Sequence, residues 1–256
     1  DLLPDPAVTV TDVNGINPSQ VGNEITLTSG ALLTLNADGS FTYKTNNAFE
    51  YLGTGVGGGP ASVTDTFTYK AKAATGLSDG PATVTVTING INDAATIGGN
   101  DTGSVTEDSG VVDGLNAVSN SLTIIDPDDS EDSFQAETVN GSYGDLVIDV
   151  AGNWSYSATN VQAAIQQLGV GESLTENLTI HALDGTTHVV TITINGANDD
   201  PVATANTNAI AEDAVATITG NMLTDDDGNG IDSDIDGYTL TVTNFDATGA
   251  NQYGTL

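Results

Sequence analysis

The stretch VTVTINGIND, residues 84–93, returns nearly letter for letter as VTITINGAND at residues 190–199. Each copy alternates β-branched aliphatic residues with threonine, the period of a strand with one buried face, and each closes on the same Asn-Asp. The two copies are 190 − 84 = 106 residues apart. A strand and its terminal Asn-Asp repeated at the spacing of a small domain predict a tandem array of like units.

Further repeats lie on both sides of this strand. LTLNADGSFTY at 33–43 matches LVIDVAGNWSY at 146–156: two strands around a turn, with Phe41 and Tyr43, or Trp154 and Tyr156, on alternate positions of the second strand. That pattern predicts a β-hairpin with one buried face. TDTFTYKAKAATGLSDG at 64–80 corresponds to TENLTIHALDG at 175–185, and SVTED at 104–108 returns as AIAED at 209–213. Runs rich in Val, Thr and Ile, broken by Gly, Asn and Asp, suit β-sandwiches, so the expected fold is all-β with Greek-key sandwiches placed end to end. VQAAIQQLG at 161–169 is the one helical candidate, a turn or two between strands. Boundaries are expected after Asp93 and Asp199, giving units 1–93, 94–199 and 200–256. Leu2 and Leu3 align with Met222 and Leu223, well inside the third unit, so the first unit is expected to lack its opening strand or strands and the third to stop partway.

Charge narrows the function. Among 256 residues there are 35 Asp plus Glu against 3 Lys plus Arg, a formal net charge of −32, and the self-repulsion of such a chain opposes compaction. Nucleic acid is excluded as a partner, because phosphate contacts need the basic side chains that only Lys44, Lys70 and Lys72 supply. Divalent cations are the natural counter-charge. Hydrophobic residues make up 38% of the chain, enough for small cores and against disorder throughout. There is no Cys to form a disulfide staple, which leaves metal ions or end-to-end packing to supplement those cores. No apolar run approaches the ~20 residues that cross a bilayer, and no basic-then-apolar segment opens the sequence, so direct membrane insertion is not expected and any targeting signal lies outside it.

The acids gather at unit ends rather than along strands. They are Asn92-Asp93, Glu107-Asp108, Asp126 with Asp128 and Asp129, Asp184, Asn198-Asp199-Asp200, Glu212, and the run from Asp225 to Asp236. Ca²⁺ takes six to eight oxygens from such residues, and carboxylates crowded without Lys or Arg repel until a cation joins them. Within DDDGNGIDSDID at 225–236, Asp225, Asp227 and Asn229 before Gly230 fit the start of a Ca²⁺ loop, with Asp232, Asp234 and Asp236 following. Position twelve is Asp236 in place of the longer Glu, and the flanks read as strands, so a Ca²⁺ loop in a β-domain is expected rather than an EF-hand.

The middle unit, with VTED, the Asp-Pro-Asp turn, the GNWSY hairpin, LTENLTI, the DG turn and TINGAND, resembles a VCBS repeat, and the flanking units resemble bacterial cadherin-like repeats. The resemblance implies immunoglobulin- or cadherin-like sandwiches of large RTX-type adhesins, secreted by a type I system to the bacterial cell surface and stiffened by Ca²⁺ at their junctions. By motif it implies a first junction of Asn92 and Asp93 with Asp126, Asp128 and Asp184. A second would use Glu107, Asn198, Asp199 and Asp200 with Asp225, Asp227 and Asp234. The implied partners are neighbouring repeats of the same chain.

Catalysis finds little support. A glycosidase needs paired carboxylates and commonly aromatic platforms, yet the single Trp lies in the repeated hairpin, where a core role is expected. His181 and His188 flank the LDG turn on opposite arms of a hairpin and lack a clear third ligand for zinc. No nucleophile elbow or phosphate-binding loop is present. The expected role is non-enzymatic: a Ca²⁺-stabilised spacer that holds a distal adhesive domain away from the cell. The alternative is a module that binds a ligand or other copies of the chain, by strand donation or carbohydrate contact.

Overall fold

The computed structural model describes residues 8–15, 20–77, 80–211 and 217–244. Among them lie two sandwiches in sequence. The first contains β1 (Val8–Val13), β2 (Glu24–Thr26), β3 (Leu32–Leu35), β4 (Phe41–Lys44), β5 (Ser62–Ala73) and β6 (Ala82–Asn89). The second contains β7 (Thr96–Gly99), β8 (Thr102–Thr106), β9 (Leu115–Ile125), β10 (Glu137–Asn140), β11 (Gly144–Ile148), β12 (Asn153–Thr159), the single helical turn α1 (Ala163–Gln166), β13 (Ser173–His181) and β14 (Thr187–Asn195). The first has sheets ordered β1-β5-β6 and β2-β3-β4; the second has β10-β11-β12-β9-β7 and β13-β14-β8. Strand β8 runs parallel to β14, and the other paired strands are antiparallel.

Both repeated hairpins form. Leu33 pairs with Tyr43 and Leu35 with Phe41 across β3 and β4; Leu146 pairs with Tyr156 and Ile148 with Trp154 across β11 and β12. Their turns match bond for bond. Gly39 N–H donates to the Asn36 carbonyl and Gly152 N–H to the Asp149 carbonyl, each at 3.0 Å. Gly39 and Gly152 have φ of 87° and 85°, the left-handed region where a side chain is penalised.

Burial alternates along β12, where Trp154, Tyr156 and Ala158 face a core with Leu146, Ile148, Ile165, Leu178, Ile180, Val190, Ile192 and Ile194. In the first sandwich Val10, Val13, Leu27, Leu33, Leu35 and Phe67 form a smaller core. The expectation of a buried aromatic pair holds for Trp154 and Tyr156 but not for Phe41, which is 49% exposed. Among the described residues β4 is an edge strand, so Phe41 is covered on one side by an edge-on contact with Phe67 at 5.5 Å, whereas β12 lies between β11 and β9.

A clasp between sheets recurs in both units. The Tyr43 hydroxyl donates to Asp65 Oδ2 at 2.7 Å, and the Tyr156 hydroxyl donates to Glu176 Oε2 at 2.8 Å. Glu176 is buried and also accepts the backbone N–H groups of Ser142 and Tyr143. His181 and His188 contact different carboxylates, Glu137 Oε1 at 3.0 Å and Asp101 Oδ2 at 3.2 Å, and do not form a shared site. No helix among the described residues is long and apolar enough to cross a membrane.

Candidate cation sites at the junctions

The chain leaves β6 and β14 through the repeated Asn-Gly. A Cβ on Gly90 would strike the carbonyls of Leu52 and Gly53, and one on Gly196 those of Leu168 and Gly169. Glycine is therefore needed where each final strand passes beneath a Leu-Gly loop, which aims the following Asn-Asp at the next unit.

At the first junction the Asp93 N–H donates to Asp128 Oδ2 at 2.8 Å, and the Asp128 N–H donates to Asp126 Oδ1 at 2.9 Å. Asn92 Nδ2 donates to the Asp93 carbonyl at 3.0 Å. From the β13–β14 turn, Asp184 accepts the Ala95 N–H at 3.1 Å and bonds from both the backbone and hydroxyl of Thr186. The second junction repeats these contacts. Asp199 N–H donates to Asp236 Oδ2 at 2.8 Å, Asp236 N–H to Asp234 Oδ1 at 2.9 Å, and Asn198 Nδ2 to the Asp199 carbonyl at 2.7 Å. Glu107, at the end of β8 and 1% exposed, accepts the Ala197 N–H at 2.9 Å. Asp108 accepts Asn160 Nδ2 at 2.6 Å and Gln166 Nε2 at 3.2 Å, so the turn α1 serves to place Gln166 here.

Both clusters hold uncompensated negative charge. Burial pushes the Asp126 carboxyl up, against the bond from Asp128 N–H, and Asp184, Asp128 and Asp93 add to the rise. Burial likewise raises Glu107, opposed by the Ala197 N–H and reinforced by Asp108, Asp199 and Asp236. Asp199 is raised by burial and then by Asp108 and Asp236. For Asp184 burial is outweighed by the Thr186 and Ala95 bonds, and its carboxyl sits below the usual range. Oxygens without a hydrogen-bond partner among the described residues include Asp126 Oδ2, Asp128 Oδ1 and both oxygens of Glu131 at the first junction, and Asp199 Oδ2 and Asp236 Oδ1 at the second. Buried acceptors normally find a donor, an ordered water or an ion. Among the described residues no three or more His, Cys, Asp or Glu side chains converge as a ready-made metal cage. The fit to a hard cation lies instead in the donor chemistry, which is all oxygen.

The run at 225–236 divides in two. Only Asp234 and Asp236 face Asp199; they play the part of Asp126 and Asp128 in the first junction. Asp225 accepts the Asn221 N–H at 2.6 Å, Asp227 is bonded by the backbone and hydroxyl of Thr207, and Asn229 donates to Asp227 at 2.9 Å. Asp225 and Asp227, expected in the second junction, thus have their carboxylates bonded by Asn221 and Thr207 within the third unit. Asp232 accepts the Thr204 N–H at 2.6 Å. Asp129 and Asp200 are exposed, Asp129 contributing its backbone N–H to the Tyr51 carbonyl at 3.0 Å. Glu212 lies outside the described residues.

Two participants escaped sequence reasoning. Glu131 is 0% exposed; burial pushes its carboxyl up and Asp128, Asp126 and Asp184 add to the rise. A Cβ on Gly53 would strike Glu131 Oε1. At the second junction Tyr238 takes this place: its hydroxyl accepts the Val170 N–H at 3.1 Å, and a Cβ on Gly169 would strike it. An acid and a tyrosine at equivalent places share no letter, although the repeated Leu-Gly at 52–53 and 168–169 was a legible signal.

A family model described as the bacterial cadherin-like domain matches residues 3–90 and again residues 92–196, so one family covers both sandwiches. Among curated proteins no relative matches the chain. Similar solved structures include mouse clustered PcdhgC3 EC1-3 at 13% identity, covering 75% of this chain and 55% of that one, with a TM-score of 0.35. A Ca²⁺-stabilised adhesin that helps an Antarctic bacterium bind ice is 16% identical, covering 83% of this chain and 45% of its own, with a TM-score of 0.26. A 1.5-MDa bacterial ice-binding adhesin is 13% identical, with coverages of 76% and 54% and a TM-score of 0.25. The chain spans about half the length of these three structures. Two consecutive matches to one family model, on sandwiches that hand over through the same Asn-Gly and Asn-Asp, decide the family: the chain belongs to the bacterial cadherin-like domains.

Proposed function

We propose that the chain is a run of Ca²⁺-stabilised spacer units from a large RTX-type bacterial adhesin, delivered by type I secretion to the cell surface, where it holds a distal adhesive domain in reach of its target during attachment or biofilm growth. The units are 1–93, a VCBS-like 94–199, and 200–256, and their partners are neighbouring repeats. The observation that carries this function is the recurrence, at both junctions, of buried carboxylate oxygens with no hydrogen-bond partner among the described residues. Ca²⁺ supplies the missing positive charge. At the first junction Asp93, Asp126, Asp128, Glu131 and Asp184 would hold it, with Asn92 alongside; at the second Glu107, Asp108, Asn198, Asp199, Asp234 and Asp236. A sandwich with strands of about seven residues plus end loops adds roughly 40 Å of reach. Extracellular Ca²⁺ modules bind at about 10⁻⁴ to 10⁻³ M, so a joint that depends on the ion would stiffen outside the cell and stay loose in the calcium-poor cytosol.

Small-angle scattering and thermal melting, each in about 5 mM Ca²⁺ and in excess EDTA, test the proposal. The expected result is a longer particle and a higher melting temperature with Ca²⁺. Identical shape and stability in the two conditions would refute it and direct attention to ligands or further copies of the chain on the sandwich faces.

A further inference from the structure

The two junctions share their acidic clusters but not the loop that precedes β5 or β13. After Leu52 the first unit runs through residues 53–61, GTGVGGGPA, before β5 begins at Ser62; after Leu168 the second has only residues 169–172, GVGE, before β13 begins at Ser173. The longer loop lies against the 128–131 turn of the second unit. A Cβ on Gly57 would collide with the Ser130 carbonyl oxygen, and one on Gly59 with the Asp129 carbonyl oxygen, each closer than 3.0 Å. Beside them the Asp129 N–H donates to the Tyr51 carbonyl at 3.0 Å, and Leu183 of the β13–β14 turn packs at 3.0 Å from the Gly57 Cβ position.

We propose that Gly57 and Gly59 form a backbone-to-backbone docking face for the Asp129–Ser130 turn, and that this strap holds the first junction in one orientation without any cation. A backbone carbonyl approaches another backbone this closely only where the facing residue lacks a Cβ, and the attraction comes from many short-range contacts that vanish with a small separation. None of these contacts uses a carboxylate, so none of them is itself a bond to the ion. At the second junction the corresponding loop meets the next unit through the Tyr238 side chain on Gly169 and Val170. The first joint is therefore fixed, and the second is the one that Ca²⁺ stiffens; only this comparison rests on the calcium function proposed above.

The chain has no Cys, so paired cysteine substitutions carry spin labels without background. Labels at exposed Thr42 and Ser119 report the first junction, and labels at Ser119 and Thr239 the second, with distance distributions measured in Ca²⁺ and in EDTA. Gly59→Ala is the informative variant, because Gly59 has φ −65° and ψ 166°, ordinary extended backbone, so only the collision with Asp129 opposes an alanine there. Gly58→Ala is the control: Gly58 has φ of 91° with nothing within 4 Å, so it carries backbone strain without a collision. The proposal expects a narrow Thr42–Ser119 distribution in EDTA, unchanged in Gly58→Ala and broadened in Gly59→Ala. Broadening of the wild-type distribution in EDTA overturns the proposal, and so does a Gly59→Ala distribution as narrow as wild type. The Ser119–Thr239 pair reports separately: if it stays equally narrow in EDTA, the calcium function fails while the strap stands on the first pair alone.

Discussion

Replacing Glu107 by Gln should move stability in opposite directions with and without Ca²⁺. Glu107 is 1% exposed, with Asp108, Asp199 and Asp236 all disfavouring its charge, and its Oε1 accepts the Ala197 N–H at 2.9 Å. An amide oxygen accepts that same bond, so Gln keeps the Ala197 hydrogen bond, gives up the long 3.4 Å bond from Gln166 Nε2, and removes the charge. Two like charges about 4 Å apart repel by roughly 1 kcal/mol in water and roughly 4 kcal/mol at an effective dielectric constant of about 20. Glu107 is buried while Asp108 and Asn198 are exposed, so the interaction lies between the two figures. With screening at 0.15 M salt the relief totals about 1–2 kcal/mol. A unit of this size gains about 4–8 °C in melting temperature per kcal/mol, so Glu107→Gln should melt about 5 °C or more above wild type in EDTA. In Ca²⁺ the same change removes a ligand charge; a tenfold loss of affinity subtracts about 1.4 kcal/mol, and the variant's calcium-induced rise should shrink accordingly. Calorimetry of both proteins in both conditions reads the four values. A variant less stable than wild type in EDTA would refute the repulsion, and an unchanged calcium-induced rise would remove Glu107 from the ligand set.

Asp236→Asn should reduce the calcium-induced rise in melting temperature, whereas Asp227→Asn should leave it unchanged, because Asp227 bonds Thr207 and Asp236 bonds Asp199; titration with Ca²⁺ separates the two variants. The pH dependence in EDTA follows from the raised carboxyls of Asp126, Glu107, Glu131 and Asp199. Their contribution is full below the unfolded value of about 4 and is lost as pH rises through their folded values, so acidification from pH 7 toward about 5 should stabilise the ion-free protein. The lowered carboxyls of Asp65, Asp108 and Asp184 act oppositely, and their contribution falls away below about pH 4. With Ca²⁺ bound, the same acidification should destabilise, since protons compete with the ion; a melting series in both conditions checks the reversal. Tyr156→Phe should cost about 1.5–3 kcal/mol by denaturant unfolding, because the hydroxyl donates to a buried carboxylate, and Tyr43→Phe should cost less, since Asp65 keeps its bond from Ser29.

Much of the molecule was legible in its letters. Repetition of the terminal strand, the two hairpins and the Asn-Asp gave the period, the β class and the places where acids cluster, because each depends on local patterns: alternation for a half-buried strand, glycine for a left-handed turn, and excess carboxylate with no basic partner. The grouping of Asp93 with Asp126, Asp128 and Asp184 came from the resemblance to cadherin-like repeats and not from any local pattern. What tertiary structure alone decided is which like residues have unlike surroundings. VTVTI in β6 stays half-exposed while VTITI in β14 buries Val190, Ile192 and Ile194, because β14 is flanked by β13 and β8, whereas β6 has only β5 beside it among the described residues. Asp225 and Asp227 match a metal-loop pattern, yet Asn221 and Thr207 take their oxygens, while Asp234 and Asp236 face the junction. Glu131 and Tyr238 occupy equivalent places without sharing a letter, and Gly59 matters for a carbonyl 70 residues away, 129 − 59 = 70. Sequence carries the period and chemistry of each segment; which neighbour a side chain meets depends on distances that only the folded chain sets.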